Sequence, residues 1–219
     1  MVVVDFPPVS MAREDGLLAF GGDTDPESLL LAYRQGIFPW PVADDLLTWF
    51  APPERAILRL ENYHPSRSLK KKLRQLDYEL KTDQAFALVM SRCAELVNRG
   101  KQSGTWITPE ILSGYQQLHE QGNAHSVECY AGEELIGGIY GVSIGSYVAA
   151  ESMFYRQPYA SQFALFYLVE LLKKQKVKWL DCQVMSPHLA TFGVESIARE
   201  EFMTLLADAI QGPEIEWNL

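Results

Sequence analysis

Two acidic residues stand in segments that are otherwise too apolar to be surface strands. Glu151 lies within Val148–Phe154, and Asp181 lies within Trp179–Val184. Side chains alternate along a strand, so Asp181 and Gln183 are predicted to share one face, about 7 Å apart. A buried acid is costly unless it is paired. Each acid could therefore bind a backbone N–H or an internal arginine, or the two could form an acidic pocket for a cationic ligand.

The familiar nucleotide-binding motifs are absent from the sequence. It contains no GxxxxGK[ST] and no GxGxxG. The four histidines form no HExxH, and the three cysteines show no CxxC spacing. We therefore expect reduced thiols and no metal site.

Basic residues are concentrated in two short regions of an acidic chain. The net charge is −9, which by itself argues against a nucleic-acid-binding protein. Yet 11 of the 19 cations lie in Arg55–Arg74 and Lys173–Lys178. Screening confines the field of such a cluster to about 10 Å, so a local patch can still bind a polyanion. The other interpretation is a solvated helix face.

Length and hydropathy indicate a soluble globular protein. The chain has 219 residues, which predicts one or two domains and a sizeable core. No apolar run approaches the roughly 18 residues of a membrane span. The first residues lack a basic region followed by a long apolar stretch, so no signal peptide is predicted. We expect no membrane association and a cytoplasmic location.

The segments that must position these side chains fall into two parts. Residues 1–60 are rich in proline and predict a small N-terminal domain, with a helix that starts near Asp25 and ends at Gly36 and with short strands over 46–50 and 56–60. Residues 61–219 form the second predicted domain. Leu69, Leu73 and Leu76 give a helical stripe over residues 66–76.

Further along the chain the pattern alternates between helices and closely spaced strands. Asp83 is predicted to cap a helix that ends at Gly100, and another helix runs from Thr108 to Gly122. Three strands between residues 126 and 154, joined by short glycine-containing turns, predict an antiparallel meander. A long helix, a strand over 178–184 and a last helix follow. The predicted class is α+β with a mixed sheet, in an order typical of GNAT-type acyltransferases.

At the place where a CoA-dependent GNAT enzyme carries its glycine-rich loop, the chain has no glycine. The segment is Arg156–Ser161. Close backbone approach to a pyrophosphate needs glycine, so the sequence predicts that a CoA site is missing.

Several motifs, in order along nearly the whole chain, resemble leucyl/phenylalanyl-tRNA–protein transferases. The segments that carry the resemblance are Gly16–Asp23, Ala32–Trp40, Thr105–Thr108, Gly137–Gly141, Glu151–Phe154, Asp181–Gln183 and His188–Ala190 with Gly193, Ile197 and Arg199. Each motif alone is weak, but their order is specific.

The resemblance implies transfer of leucine or phenylalanine, and also methionine, from aminoacyl-tRNA to an N-terminal Lys or Arg of a protein, which creates a degradation signal. It implies a small N-terminal domain, a GNAT-like acyltransferase domain, and no metal or cofactor. The partners would be Leu- or Phe-tRNA and proteins with an N-terminal Lys or Arg.

The resemblance also assigns residues. Asp181 and Gln183 would do the catalytic work, and Glu151 would face the cationic acceptor side chain or the terminal adenosine. The pocket for the donor side chain would be formed by Trp106, Ile139, Met153, Leu165 and Leu168. The tRNA-binding residues would be Arg67, Lys70, Lys71, Lys72 and Arg74.

Two alternatives remain open at this point. One is a CoA-dependent N-acetyltransferase, against which the missing glycine loop argues. The other is a module that binds aminoacyl-tRNA or a degron without chemistry.

Overall fold

A mixed α+β architecture is seen in the computed structural model, which describes residues 2–41, 46–95 and 105–218. Within these ranges the strands are β1 (Leu17–Phe20), β2 (Phe38–Pro39), β3 (Thr48–Phe50), β4 (Glu54–Arg59), β5 (Glu79–Thr82), β6 (Ala124–Ala131), β7 (Glu134–Ile144), β8 (Tyr147–Tyr155), β9 (Trp179–Asp181) and β10 (Glu195–Ala198). The α-helices are α1 (Pro26–Arg34), α2 (Arg67–Leu73), α3 (Phe86–Ala94), α4 (Pro109–Glu120), α5 (Ala160–Lys174), α6 (Pro187–Ala190) and α7 (Arg199–Ala209).

The strands form two sheets. A small sheet has the order β1-β3-β2, and a larger one has the order β10-β4-β9-β8-β7-β6-β5. All pairs in the larger sheet are antiparallel except β8 with β9, which run in parallel. The predicted α+β class and mixed sheet are therefore confirmed, and so is the predicted meander, which is β6-β7-β8.

Local sequence signals account for several helix ends. Thr108 caps α4 by accepting from the backbone N–H of Ile111, and Pro109 takes the first helical position. Gly36 follows α1 with a φ of 73°, a left-handed conformation that glycine adopts at low cost. In α2 the side chain of Leu69 is buried, as its stripe predicts.

The structure corrects three predicted elements. Asp83 does not cap a helix; it has a left-handed backbone, and its carboxylate accepts from the Ser126 backbone N–H. The helix after it is α3, which begins at Phe86, and its predicted end at Gly100 lies outside the described residues. The helix predicted over 66–76 ends at Leu73, and the strand predicted over 178–184 ends at Asp181. Four strands, β1, β2, β5 and β10, have no counterpart among the predicted elements.

Three clusters of buried apolar side chains pack in the described part of the chain. The first joins the first part of the chain, including Phe38 and Trp49, to Tyr140 and Tyr147 of the large sheet. The second packs α5 against the opposite face of that sheet. The third is smaller and contains Leu69 of α2 and Phe163 of α5. None of the helices in the described part of the chain combines the length and apolar character that a membrane span needs.

The predicted boundary near residue 60 falls just after β4. This strand lies between β10 and β9 in the large sheet. A division of the chain into two domains stays a prediction.

Candidate active site

A β-bulge in β8 determines the position of the Glu151 side chain. Opposite β7, Tyr140 pairs with Ser152 and Gly141 pairs with Ala150, so Glu151 is an extra residue in a β-bulge. Gly141 makes this possible, because a Cβ there would lie 2.2 Å from the carbonyl oxygen of Ala149. The bulge thus aims one acidic side chain out of a strand that is otherwise apolar.

A chain of hydrogen bonds ends on the Glu151 carboxylate. Its Oε1 accepts from the Tyr33 hydroxyl at 2.7 Å and from Gln183 Nε2 at 2.8 Å. The Tyr33 hydroxyl is in turn hydrogen bonded to the Tyr115 hydroxyl. Since Tyr33 has one proton and donates it to Glu151, Tyr115 must be the donor to Tyr33. Both tyrosines are fully buried, which fixes the orientation of Glu151.

The pKa of the Glu151 carboxyl group is raised toward the neutral range. Burial raises its pKa from 4.5 to about 8, and the nearby charge of Asp181 acts in the same direction. The hydrogen bonds from Tyr33 and Gln183 and the charge of Arg55 oppose the rise. The result is a carboxyl group that can gain or lose a proton near physiological pH.

Asp181 has a different environment from Glu151. Its two oxygens accept from Arg55 Nε at 2.9 Å and from Arg55 Nη2 at 2.7 Å. They also accept from the Tyr147 hydroxyl at 2.7 Å and from the Gln183 backbone N–H at 2.9 Å. Asp181 has an exposed fraction of 0%. Of the two interpretations of this acid, the structure shows the internal arginine.

Arg55 remains charged in this buried pair. Burial would lower its pKa, but the charge and hydrogen bonds of Asp181 outweigh that effect and raise it. Its guanidinium group also lies over the rings of Phe38 and Phe202, at 4.6 Å and 4.5 Å from the centroids. Arg55 Nη1 donates to the carbonyl of Gly36. One arginine therefore joins the acid to the N-terminal part of the chain.

Gln183 is oriented by its backbone and not by strand alternation. Its φ is 56°, so it lies in the left-handed region just beyond the end of β9. Its N–H donates to Asp181 Oδ1, and its carbonyl accepts from the Ala56 N–H at 3.0 Å. The predicted proximity of Asp181 and Gln183 holds, but the backbone hydrogen bond, and not a shared strand face, produces it.

A cavity of about 110 Å³ adjoins Glu151 and Gln183. Most of its wall is apolar, and its polar side chains include Glu151, Ser152 and Gln183. Its apolar wall comprises Leu58, Ile139, Ala150, Met153, Leu165, Leu180, Leu189, Phe192 and Val194. An apolar space beside a few convergent polar groups is the usual form of a small-molecule site.

The predicted pocket residues fall into two groups. Ile139, Met153 and Leu165 line this cavity. Trp106 and Leu168 do not: Trp106 packs edge-on against Tyr115, with centroids 6.4 Å apart, and Leu168 is buried in the core under α5. The role of all five in binding a substrate stays a prediction.

The predicted basic surface is present on α2. Arg67, Lys70, Lys71 and Arg74 are exposed and Lys72 is partly exposed, while Leu69 holds the helix against the core. The hydroxyls of Ser68 and Tyr159 lie 2.8 Å apart, which joins α2 to the start of α5. The second basic cluster begins at the far end of α5, about 21 Å along that helix. The two clusters are therefore separate surfaces.

One group of side chains in the described ranges consists of residue types that can bind a metal ion. Donor atoms of Asp83, His119 and His125 lie within 4.8 Å of one another. Their polar atoms already have protein partners: His119 Nδ1 lies 2.7 Å from the Ala124 carbonyl, and His125 Nδ1 lies 2.7 Å from Asp83 Oδ2. None of the three lines the cavity.

Sequence reasoning missed the residues that hold the two acids. Tyr33 is 118 positions from Glu151, and Arg55 is 126 positions from Asp181. No local spacing connects such pairs. The only signal was the rule that a buried acid needs a donor, which gives the kind of partner but not its position.

Comparison with known families adds independent information. The model of the leucyl/phenylalanyl-tRNA protein transferase family matches residues 57–207. The model of the N-terminal domain of the same family matches residues 22–53. Together the two matches cover most of the chain.

Individual relatives give the same result. A leucyl/phenylalanyl-tRNA–protein transferase of Anaeromyxobacter dehalogenans (strain 2CP-C) is 45% identical over 216 residues, covering 98% of this chain and 92% of the relative. One of Shewanella sp. (strain W3-18-1) is 47% identical over 200 residues, covering 91% of this chain and 84% of the relative.

Among solved structures, FemX has 10% identity and a TM-score of 0.48, and the match covers 83% of this chain and 71% of FemX.

Proposed function

The chain belongs to the leucyl/phenylalanyl-tRNA protein transferase family, whose members move an amino acid from tRNA to a protein, and we propose that it transfers leucine or phenylalanine, and also methionine, to the α-amine of an N-terminal Lys or Arg. The same proposal includes the degradation signal that this transfer creates. It also includes the cytoplasmic location expected from the sequence.

One observation carries this function more than any other. An apolar cavity lined by Ile139, Met153 and Leu165 adjoins the hydrogen-bonded side chains of Glu151 and Gln183. The apolar wall suits the side chain of the donor amino acid. The polar pair then lies beside the place where the ester carbonyl of that amino acid would be held.

The chemistry needs positioning and the movement of one proton. The acceptor nitrogen attacks the ester carbonyl carbon, the C–N bond forms, and the C–O bond to the tRNA breaks. The proton lost by the amine balances the one gained by the leaving tRNA oxygen. A free α-amine has a pKa of about 7.7–8.0. The raised pKa of Glu151 suits its carboxylate to take a proton from that amine.

Within this proposal Gln183 and Asp181 have separate tasks. Gln183 lines the cavity and has a side-chain amide that can contact the amine or the ester. Asp181 is fully buried and binds the Gln183 backbone N–H, so it would act through Gln183. Asp181 is thus a positioning residue for the reaction.

Glu151 has a second task in recognition of the acceptor. A cationic Lys or Arg side chain near its carboxylate would favour the ionised form and lower its raised pKa. The same carboxylate could instead bind the terminal adenosine of the tRNA. Either contact agrees with its place on the wall of the cavity.

The tRNA body would contact α2. Its exposed cations give a positive surface in a chain of net charge −9, and phosphate contacts of this kind depend on local charge. The residues we propose for this contact are Arg67, Lys70, Lys71, Lys72 and Arg74.

The test is transfer of radiolabelled leucine from Leu-tRNA to short peptides. We expect label on a peptide with N-terminal Arg, and none on a peptide with N-terminal Asp or on the Arg peptide with an acetylated α-amine. Label on the Asp peptide would overturn the acidic acceptor site while leaving the transferase function intact. Bound tRNA without label on any peptide would favour the non-catalytic binding module.

A further inference from the structure

We propose that the segment Ser186–Val194 sets the size of the donor pocket, with Phe192 as the residue that makes leucine a better donor than phenylalanine. This inference rests on the proposed function, because it takes the cavity beside Glu151 as the pocket for the donor side chain.

The cavity wall has two parts with different support. Ile139 and Met153 belong to the long strands β7 and β8, and Leu165 belongs to α5. These residues are held by the large sheet and its core. Leu189, Phe192 and Val194 complete the wall and come from a short segment that is mostly exposed.

The volume of the cavity favours the smaller of the two donor side chains. A cavity of about 150 Å³ lined by apolar side chains accepts benzene. The cavity here is about 110 Å³. The branched side chain of leucine is smaller than a benzyl group, so it requires less movement of the wall.

Phe192 is the aromatic residue in this exposed part of the wall. It follows α6, a helix of only four residues, and it is half-buried. The ring of His188 packs edge-on against it, with centroids 4.8 Å apart. Moving Phe192 to admit a larger donor breaks this contact and exposes apolar surface.

Both ends of the segment are anchored, so the wall keeps its place. Ser186 caps α6 by accepting from the Leu189 N–H at 3.2 Å. After the segment, β10 pairs with β4 in the large sheet. A substitution at Phe192 should therefore change the volume of the pocket without moving the polar pair Glu151 and Gln183.

The test compares one tRNA charged with leucine or with phenylalanine, so that the tRNA body is the same for both donors. For the wild type we expect kcat/KM to favour leucine about tenfold, since overpacking a fitted apolar site is costly. Phe192→Ala should bring the ratio close to one, mainly by improving phenylalanine transfer. Phe20→Ala, the same substitution at an exposed phenylalanine that does not line the cavity, should leave the ratio unchanged.

Phe192→Leu is the milder variant, and a thermal melt of each variant establishes that it is folded. It should lower the ratio by less than Phe192→Ala does. An unchanged ratio in both folded variants, or a wild type that favours phenylalanine, would overturn the role of Phe192 and leave the transferase function standing. No transfer from either donor in the wild type would overturn both.

Discussion

At the scale of single residues, the two acids of the site differ because their partners differ. Glu151 accepts hydrogen bonds from the neutral groups of Tyr33 and Gln183, and burial raises its pKa to about 8. Asp181 accepts a bidentate pair from a charged guanidinium group. The first acid is therefore suited to proton exchange, and the second is suited to holding structure.

Glu151→Gln tests the raised pKa through stability. A carboxyl group whose pKa is higher in the folded protein contributes stability below pH 4.5, and this contribution is lost as the pH rises through 8. We expect Glu151→Gln to be more stable than the wild type at pH 9 by about 1–3 kcal/mol, with a smaller difference at pH 5. Urea unfolding at both pH values measures this. An equal difference at both would contradict the assigned pKa.

Asp181→Ala tests the buried ion pair. The variant leaves the Arg55 charge buried without its ion-pair partner. We expect a decrease of about 3–5 kcal/mol in the free energy of unfolding. As a control, Asp77→Ala removes an exposed acid and should change it by less than about 0.5 kcal/mol. A decrease below about 1 kcal/mol at Asp181 would mean that the pair does little for stability.

At the scale of elements, α5 separates the two basic clusters. Its first residues contact α2 through Tyr159 and Ser68, while Lys173 and Lys174 lie in its last turn. Composition alone could not show that the two clusters lie on different surfaces of the folded chain, since both consist of basic residues. Their different positions allow a matched comparison.

Removing cations from α2 should weaken tRNA binding in a salt-dependent way. The variant is the double substitution of Lys70 and Lys71 by alanine. Each phosphate that is no longer neutralised should reduce the slope of log K against log salt by about 1. Titrations of tRNA at several NaCl concentrations measure the slope. The double substitution of Lys173 and Lys174 by alanine is the control, and an equal effect of both variants would show a general charge effect instead of a surface on α2.

At the scale of the whole molecule, the small sheet and the large sheet share a core. Phe38 and Trp49 of the first pack in the same cluster as Tyr140 and Tyr147 of the second. Arg55 adds hydrogen bonds to Gly36 and to Asp181 across the same region. The N-terminal part of the chain therefore helps to position the site.

Because this core is shared, we expect the two parts to unfold together. Hydrogen exchange followed by mass spectrometry should give the same opening free energy for segments of α1 and of β8. The comparison also tests the predicted domains 1–60 and 61–219, since β4 lies before residue 60 but pairs within the large sheet. A lower opening free energy for α1 than for β8 would show that the N-terminal part is an independent domain.

The sequence by itself determined the α+β class, the meander and the family, and it singled out Glu151, Asp181 and Gln183. These features depend on local periodicity, turn chemistry and ordered motifs, all of which are written in neighbouring residues. The tertiary structure decided which acid is paired with an arginine, how Gln183 is turned, and which apolar residues border the cavity. Those outcomes depend on partners more than 100 positions apart and on one bulge at Glu151. Contacts between distant residues leave no periodic trace in the chain, so only the folded protein reveals them.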